Sequence, residues 1–164
     1  MGNLTQQTIY LFDWGDTLMV DFPNQKGKMC DWSRIEAVAD ADSLLSHLSK
    51  QHPIYIATNA ADSNESEIAQ AFQAVGLDRF ISGYFCFANL GIAKGSAEFF
   101  LSIVERLGVE ASQVVMIGDT LSKDVYPALE AGLSAIWFNP SQTVTDDFTG
   151  TQIATLSELI EHSL

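Results

Sequence analysis

The chain has 164 residues, of which 47% are hydrophobic, so it is long enough to fold as one domain around a substantial core. Its 21 acidic residues outnumber its 8 lysines and arginines and give a net charge of -13. This balance argues against nucleic-acid binding and against attachment to an anionic membrane surface. An anionic ligand would need a local cation to hold it against the overall charge.

The N-terminal residues lack the basic and long apolar regions of a signal peptide, and no apolar run approaches the length of a membrane span. The two cysteines, Cys30 and Cys86, do not have the spacing of a metal or redox motif, so we expect reduced thiols. Together these features lead us to expect a cytoplasmic protein.

Five short apolar runs, each bounded by Gly, Pro, Asn or Asp, predict strands at residues 9–12, 54–57, 84–87, 114–117 and 135–138. Helical patterns occur between and after them, at residues 41–50, 63–75, 96–107, 123–131 and 155–162. Strands that alternate with helices predict an α/β fold of three layers, with a mainly parallel, roughly five-stranded sheet covered on both faces.

The least regular segment spans residues 19–39 and holds Pro23, Gly27 and Trp32. Long segments without regular structure are often functional lids in compact domains. Two interpretations stay open here, a flap over a functional site and a surface loop pinned by Trp32. We therefore describe residues 1–164 as a single domain with residues 19–39 as a flap-like insertion, which we call the flap.

Polar side chains follow four successive predicted strands: Asp13 and Asp16, then Thr58 and Asn59, then Lys94, then Asp119 and Asp124. The carboxyl ends of parallel strands lie at one edge of the sheet, so these residues should converge. Carboxylate oxygens suit Mg²⁺, which keeps several waters and also binds a substrate phosphate. A carboxylate beside the metal can act as a nucleophile and form an aspartyl-phosphate, while a hydroxyl and a lysine hold the phosphate oxygens.

Each of these residues also has an ordinary structural alternative. Asp13 could cap the following turn, and Asp119 could be a turn residue. Thr58 could be a helix N-cap, and Lys94 could be a solvated surface lysine. Asp124 could be a first-turn helix acid favoured by the helix dipole.

The four motifs, in this order, resemble those of the haloacid dehalogenase (HAD) superfamily of phosphotransferases. The resemblance runs from residue 9 to about residue 138, and its most specific part is Gly118-Asp-Thr-Leu-Ser-Lys-Asp124. It implies a Rossmann-like fold and, because neither gap between the motifs holds a further domain, a member without a separate cap. Such members often take large substrates or use a neighbouring subunit as a lid, so a homo-oligomer is a further expectation.

The resemblance implies a Mg²⁺-dependent phosphohydrolase that acts on a phosphorylated substrate. Asp13 would be the nucleophile, and Lys94 would neutralise the phosphoryl charge and orient Asp13. Thr58 would hydrogen-bond the phosphoryl group, and Asn59 would assist it through its backbone or amide.

The metal ligands implied by the resemblance are Asp13, the backbone carbonyl of Gly15 and Asp119. Asp124 would support the metal or Lys94 from close by. Trp14 lies between the nucleophile and Gly15 in the chain, which makes it a candidate contact for the substrate, although tryptophans are more typical of packing positions.

The first motif, Asp13-Trp14-Gly15-Asp16-Thr17, departs from the family pattern. Phosphatases of the family place a second aspartate two positions after the nucleophile, where it protonates the leaving group and later activates water. In an extended chain side chains alternate, so Asp16, three positions after Asp13, would face away from the site. Gly15 could turn the chain, because glycine adopts positive φ readily, and Asp16 would then be the acid–base residue.

Without such a turn the protein would lack a general acid, a group typically worth about 10²–10⁴-fold in rate. Two hypotheses therefore stand. The first is a phosphohydrolase that forms an aspartyl-phosphate on Asp13. The second is a catalytically weak phosphate-sensing or partner-binding protein without a working general acid.

Overall fold

The computed structural model describes residues 7–58, 63–145 and 147–162. Its centre is a six-stranded parallel sheet with the strand order β3-β2-β1-β4-β5-β6. The strands are β1 (Ile9–Phe12), β2 (Ile54–Ala57), β3 (Gly83–Phe85), β4 (Val114–Gly118), β5 (Ser134–Phe138) and β6 (Thr151–Ile153). The order reverses between β1 and β4, and ligands of open α/β sheets bind beyond the carboxyl ends of the strands at such a point.

Helices cover both faces of the sheet and complete the three layers. They are α1 (Ala41–Ser49), α2 (Glu65–Ala74), α3 (Phe87–Leu90), α4 (Ala97–Leu107), α5 (Tyr126–Glu130) and α6 (Ser157–His162). Strand β1 is buried along its whole length and alternates between the two cores. Tyr10 and Phe12 pack with α1, α2 and α6, whereas Ile9 and Leu11 pack with α4 and α5. This two-sided burial explains why the strand is a continuous apolar run.

The predicted α/β fold is confirmed, with corrections at the sheet edges and helix ends. The strand predicted at 84–87 already ends at Phe85, because Cys86 caps α3 and donates its backbone N–H to Oδ1 of Asn89 at 3.0 Å. The sixth strand, β6, was missed because it has only three residues and buries only Ile153. The helix predicted at 123–131 begins earlier, as a π-helical turn at Leu121–Val125, and continues as α5.

The flap begins as an extension of the loop after β1. Met19 forms bridges to both Gly15 and Ala37, and the Val20 N–H donates to the Glu36 carbonyl at 2.8 Å. The flap also contains a 3₁₀ turn at Met29–Asp31. An ion pair between Lys28 and Glu67 ties the flap to α2.

No helix within the described parts of the chain has both the length and the apolar character that crossing a membrane requires.

Candidate active site

The carboxyl ends of the central strands position the first group of site residues. Asp13 directly follows β1, and its N–H donates to the Ile117 carbonyl of β4 at 2.9 Å. Thr58 follows β2, and its N–H donates to the Phe85 carbonyl of β3 at 3.0 Å. Because these bonds continue the sheet ladder by one residue, both side chains have fixed positions at its edge.

Lys94 joins the strand ends from the loop after α3. Its ammonium forms ion pairs with the carboxylates of Asp13 and Asp124, the latter at 2.8 Å, and donates to the Ala57 carbonyl at 3.2 Å. Only 7% of the Lys94 surface is exposed, and a buried charge must be paired to be tolerated. The surface-lysine alternative is therefore excluded.

Thr17 lies between two of the acids. Its hydroxyl is 3.2 Å from Oδ2 of Asp13 and 3.4 Å from Oδ1 of Asp119, so it can donate to either carboxylate. The side chain is fully buried. Sequence reasoning gave Thr17 no role, although its place in the first motif was a usable signal.

Three carboxylates form a cluster beside Lys94. One oxygen from each of Asp13, Asp119 and Asp124 lies within 4.8 Å of the others. Such an all-oxygen donor set fits Mg²⁺. A Cβ on Gly118 would lie 2.3 Å from an oxygen of Asp124, so only glycine at this position leaves room for that carboxylate.

Burial and crowding of the three carboxyl groups raise the pKa values of two of them, Asp119 and Asp124. Burial, a hydrogen bond with Asp13 and the neighbouring carboxylates raise the pKa of Asp119 to about 8. Burial and the charge of Asp13 raise the pKa of Asp124 to about 6, against the lowering effect of Lys94. A bound cation would relieve this repulsion, which agrees with the fit of the donor set to Mg²⁺.

The pKa of Asp13 is lowered, in contrast to those of Asp119 and Asp124. Its burial would raise its pKa, but the Lys94 ammonium and hydrogen bonds from Asp119, Lys94 and the Trp14 backbone lower the pKa overall. The reciprocal effect holds at Lys94, where burial lowers the pKa but the charges of Asp13 and Asp124 raise it. An ionised Asp13 beside a cation has the protonation state that a nucleophile requires.

The loop after Asp13 turns, but at a different residue from the one expected. The positive φ falls on Asp16, at 60°, and not on Gly15, which corrects the expectation that glycine provides the turn. Aspartate is among the residues that tolerate this region best. Oδ1 of the exposed Asp16 accepts the N–H of Asp21 at 3.0 Å. This bond holds the first residues of the flap to the loop after β1.

Asp21 is an acid of the flap that the sequence analysis did not single out. Partial burial and the negative charges of Asp16 and Asp13 raise its pKa. It lines a cavity of about 390 Å³ together with Asp13, Thr58, Lys94, Asp119 and Asp124. The same cavity is bounded by Trp14, Gly15 and Asp16, by Gly27, Met29 and Trp32 of the flap, and by Ser63, Thr120 and Lys123.

Trp14 and Asn59 are the two remaining residues that were predicted to contact the substrate. Trp14 is only 5% exposed, and its ring stacks on Phe72 with centroids 6.5 Å apart, so packing holds it in the cavity wall. Its role in substrate binding stays a prediction. Asn59 lies outside the described residues.

The fold and site define a class of protein: a three-layer α/β domain with acidic residues and a lysine gathered at the carboxyl edge of a parallel sheet. The chain belongs to the haloacid dehalogenase-like hydrolase family, whose model matches residues 9–132.

Two curated relatives match part of the chain. YfnB of Bacillus subtilis (strain 168) is 29% identical over 106 residues, which cover 64% of this chain and 44% of YfnB. Pyrimidine 5'-nucleotidase PynA of Streptococcus pneumoniae is 30% identical over 101 residues, which cover 60% of this chain and 41% of PynA. The matched part is thus less than half the length of either relative.

Solved structures share the fold over nearly the whole chain. A protein from Listeria monocytogenes serotype 4b superposes with a TM-score of 0.81 at 20% identity, covering 94% of this chain and 95% of that one. The magnesium-bound structure of YfnB superposes with a TM-score of 0.77 at 18% identity, covering 95% of this chain and 98% of the chain compared from that structure.

Proposed function

We propose that this protein is a Mg²⁺-dependent phosphohydrolase that acts through an aspartyl-phosphate on Asp13. The observation that carries the proposal is the buried pair of Asp13 and Lys94, set beside the carboxylates of Asp119 and Asp124 at the edge of the sheet. Two comparisons support it: PynA is named as a nucleotidase, and YfnB was solved with magnesium bound.

In this proposal a carboxylate oxygen of Asp13 bonds to the phosphorus of a phosphorylated substrate, and the bond from phosphorus to the leaving oxygen breaks. Lys94 and Thr58 hold the non-bridging oxygens, which carry the charge that must be stabilised during transfer. Water then cleaves the aspartyl-phosphate and releases inorganic phosphate, which regenerates Asp13.

Asp13, Asp119, Asp124 and the backbone carbonyl of Gly15 are the groups that would hold Mg²⁺. When bound, the ion neutralises phosphate charge and orients the phosphoryl group. Residues 1–164 act as one domain in this proposal, and the flap covers the bound substrate. That role is supported by the position of Gly27, Met29 and Trp32 in the cavity wall.

The test is steady-state hydrolysis of p-nitrophenyl phosphate with and without Mg²⁺. We expect turnover that requires the metal and that Asp13→Asn abolishes. Asp42→Asn is the matched control, because it makes the same change at an exposed position in α1, outside the cavity. Turnover that survives Asp13→Asn would contradict the mechanism. Metal-dependent uptake of beryllofluoride without turnover would favour a phosphate-sensing protein instead.

A further inference from the structure

The position that the family reserves for its acid holds Gly15, and the flap places another acid directly against it. A Cβ on Gly15 would lie 3.5 Å from the Cβ of Asp21 and 3.6 Å from its Oδ2. The Asp21 carboxyl group therefore lies beside the point from which the missing side chain would extend. A glycine at position 15 leaves that space to Asp21.

The backbone around Asp21 is held to the loop that carries Asp13. The Asp21 N–H donates to Oδ1 of Asp16 at 3.0 Å, and the Asp16 N–H donates to the Met19 carbonyl at 2.6 Å. Met19 is fully buried and bridges Gly15. Asp21 thus has a defined position relative to the nucleophile, although it comes eight residues after Asp13 in the chain.

The carboxylate of Asp21 is available for a reactant. Within the part of the chain that the structure describes, it has no hydrogen-bond or ion-pair partner, and it lines the cavity that contains Asp13 and Lys94. The Asp16 carboxylate, by contrast, already accepts the Asp21 N–H. Both acids line the cavity, but Oδ1 of Asp16 is engaged, whereas neither carboxylate oxygen of Asp21 has a hydrogen-bond or ion-pair partner among the described residues.

We propose that Asp21 is the general acid–base residue of this protein, supplied by the flap in place of the acid that the first motif lacks. The inference rests on the proposed function. In the first step Asp21 gives its proton to the leaving oxygen as the bond between phosphorus and that oxygen breaks. In the second step its carboxylate takes a proton from water, the water oxygen bonds to phosphorus, and the bond from phosphorus to Asp13 breaks.

The test compares Asp21→Asn with the wild type on two substrates, in the presence of Mg²⁺. Glycerol phosphate has a poor leaving group that needs a proton, whereas p-nitrophenyl phosphate has a good one. We expect Asp21→Asn to lower kcat for glycerol phosphate by about 10²–10⁴-fold and to slow the first-turnover release of p-nitrophenol by less than about tenfold. The matched control is Asp31→Asn, an exposed flap acid outside the cavity, which should match the wild type on both substrates.

A second readout separates proton transfer from a merely structural role. If Asp21 activates water, Asp21→Asn should form the phosphorylated enzyme from p-nitrophenyl phosphate and then accumulate it, because its hydrolysis is slowed. Trapping with labelled phosphate would detect the accumulated form. A variant whose flap is simply misplaced would show no such accumulation.

A rescue experiment tests the equivalence of the two positions. Gly15 does not adopt a positive φ, and a Cβ there would meet Asp21 only at ordinary contact distance, so a side chain is tolerated. We expect Gly15→Asp to restore most of the glycerol phosphate activity that Asp21→Ala loses.

Three results would overturn the inference. The first is equal loss on both substrates in Asp21→Asn, and the second is no loss on either. The third is the leaving-group-dependent loss in Asp16→Asn instead. All three leave the Asp13 chemistry intact, whereas a wild type without Asp13-dependent turnover would overturn the proposed function itself.

Discussion

The cavity has two walls that are built differently. The strand-end wall consists of the buried groups Asp13, Lys94 and Asp124. Lys94 pairs with both acids, and Asp13 continues the sheet ladder of β1 with β4. The flap wall includes exposed residues, Asp21 and Gly27, beside the buried Met29, and its anchors include the bridges at Met19 and the pair of Lys28 with Glu67. Displacing the flap therefore costs less free energy than displacing the strand ends, so substrate entry and selection should depend on the flap.

The largest expected effect is at the centre of the strand-end wall. Replacing Lys94 with methionine removes the cation between Asp13 and Asp124 and leaves two buried carboxylates without that counter-ion. We expect a loss of about 3–5 kcal/mol in the free energy of unfolding, measured by denaturant titration without metal, together with loss of turnover. The same substitution at the exposed Lys123 should cost less than about 0.5 kcal/mol. Equal losses at the two positions would contradict the distinction between buried and exposed lysines.

The second prediction compares Gly118, at the strand-end wall, with Gly15, which faces the flap wall. Gly118→Ala would place a Cβ within 2.4 Å of three atoms of Asp124, a side chain that Lys94 and the Thr120 N–H hold in place. We expect the displaced carboxylate to weaken Mg²⁺ binding by about 10–100-fold, measured by calorimetric titration. In Gly15→Ala the added Cβ would lie 3.5 Å from the Cβ of Asp21 in the flap, so this variant should lose much less affinity for Mg²⁺. A larger loss in Gly15→Ala would show that the flap wall is the more rigid one.

The third prediction concerns the pH dependence of Mg²⁺ binding. Without metal, the pKa values of Asp124 and Asp119 are raised to about 6 and about 8, so their protons compete with the cation. The apparent affinity should therefore rise with pH across this range, by up to about tenfold per pH unit for each proton displaced. The metal-free fold should become less stable over the same range, since these acids hold protons that the unfolded chain has released.

Calorimetric titrations at pH 6 and pH 8 would check the direction of this effect. Asp119→Asn is the informative variant, because it removes the group that titrates last and should flatten the profile near pH 8. An affinity that does not change with pH would show that the cluster is already ionised without metal.

The smallest expected effect lies in the anchor of the flap. Lys28→Gln breaks the partly exposed pair with Glu67 and should lower the unfolding free energy only slightly, because solvent screens an exposed ion pair. Because the pair holds the flap against α2, we expect a few-fold increase in KM with little change in kcat. Glu67→Gln should cost a similar amount, since glutamine can still accept the Asn64 N–H that Glu67 accepts at 2.9 Å as part of the α2 cap. A change in kcat larger than that in KM would indicate that the pair also positions Asp21 for proton transfer.

The sequence predictions were accurate for the central strands and the residues at their ends, and less accurate elsewhere in the chain. Strands β1 and β2 have the predicted bounds, because strands buried on both faces are continuous apolar runs between polar turns. The convergence of Asp13, Lys94 and Asp119 followed from parallel strands and their shared edge. Strand β6 left no comparable signal, since two of its three residues are exposed.

The amino-acid sequence by itself determined the family, the parallel sheet and the identity of the residues at the strand ends, because periodic burial and ordered motifs are local properties of the chain. The tertiary structure alone decided how the loop after Asp13 turns and which acid faces Gly15. The flap has no periodic pattern, and its course depends on contacts between residues far apart in the chain, Met19 with Ala37 and Lys28 with Glu67. The position of Asp21 against the first motif is set by those contacts, so the folded chain was needed to find it.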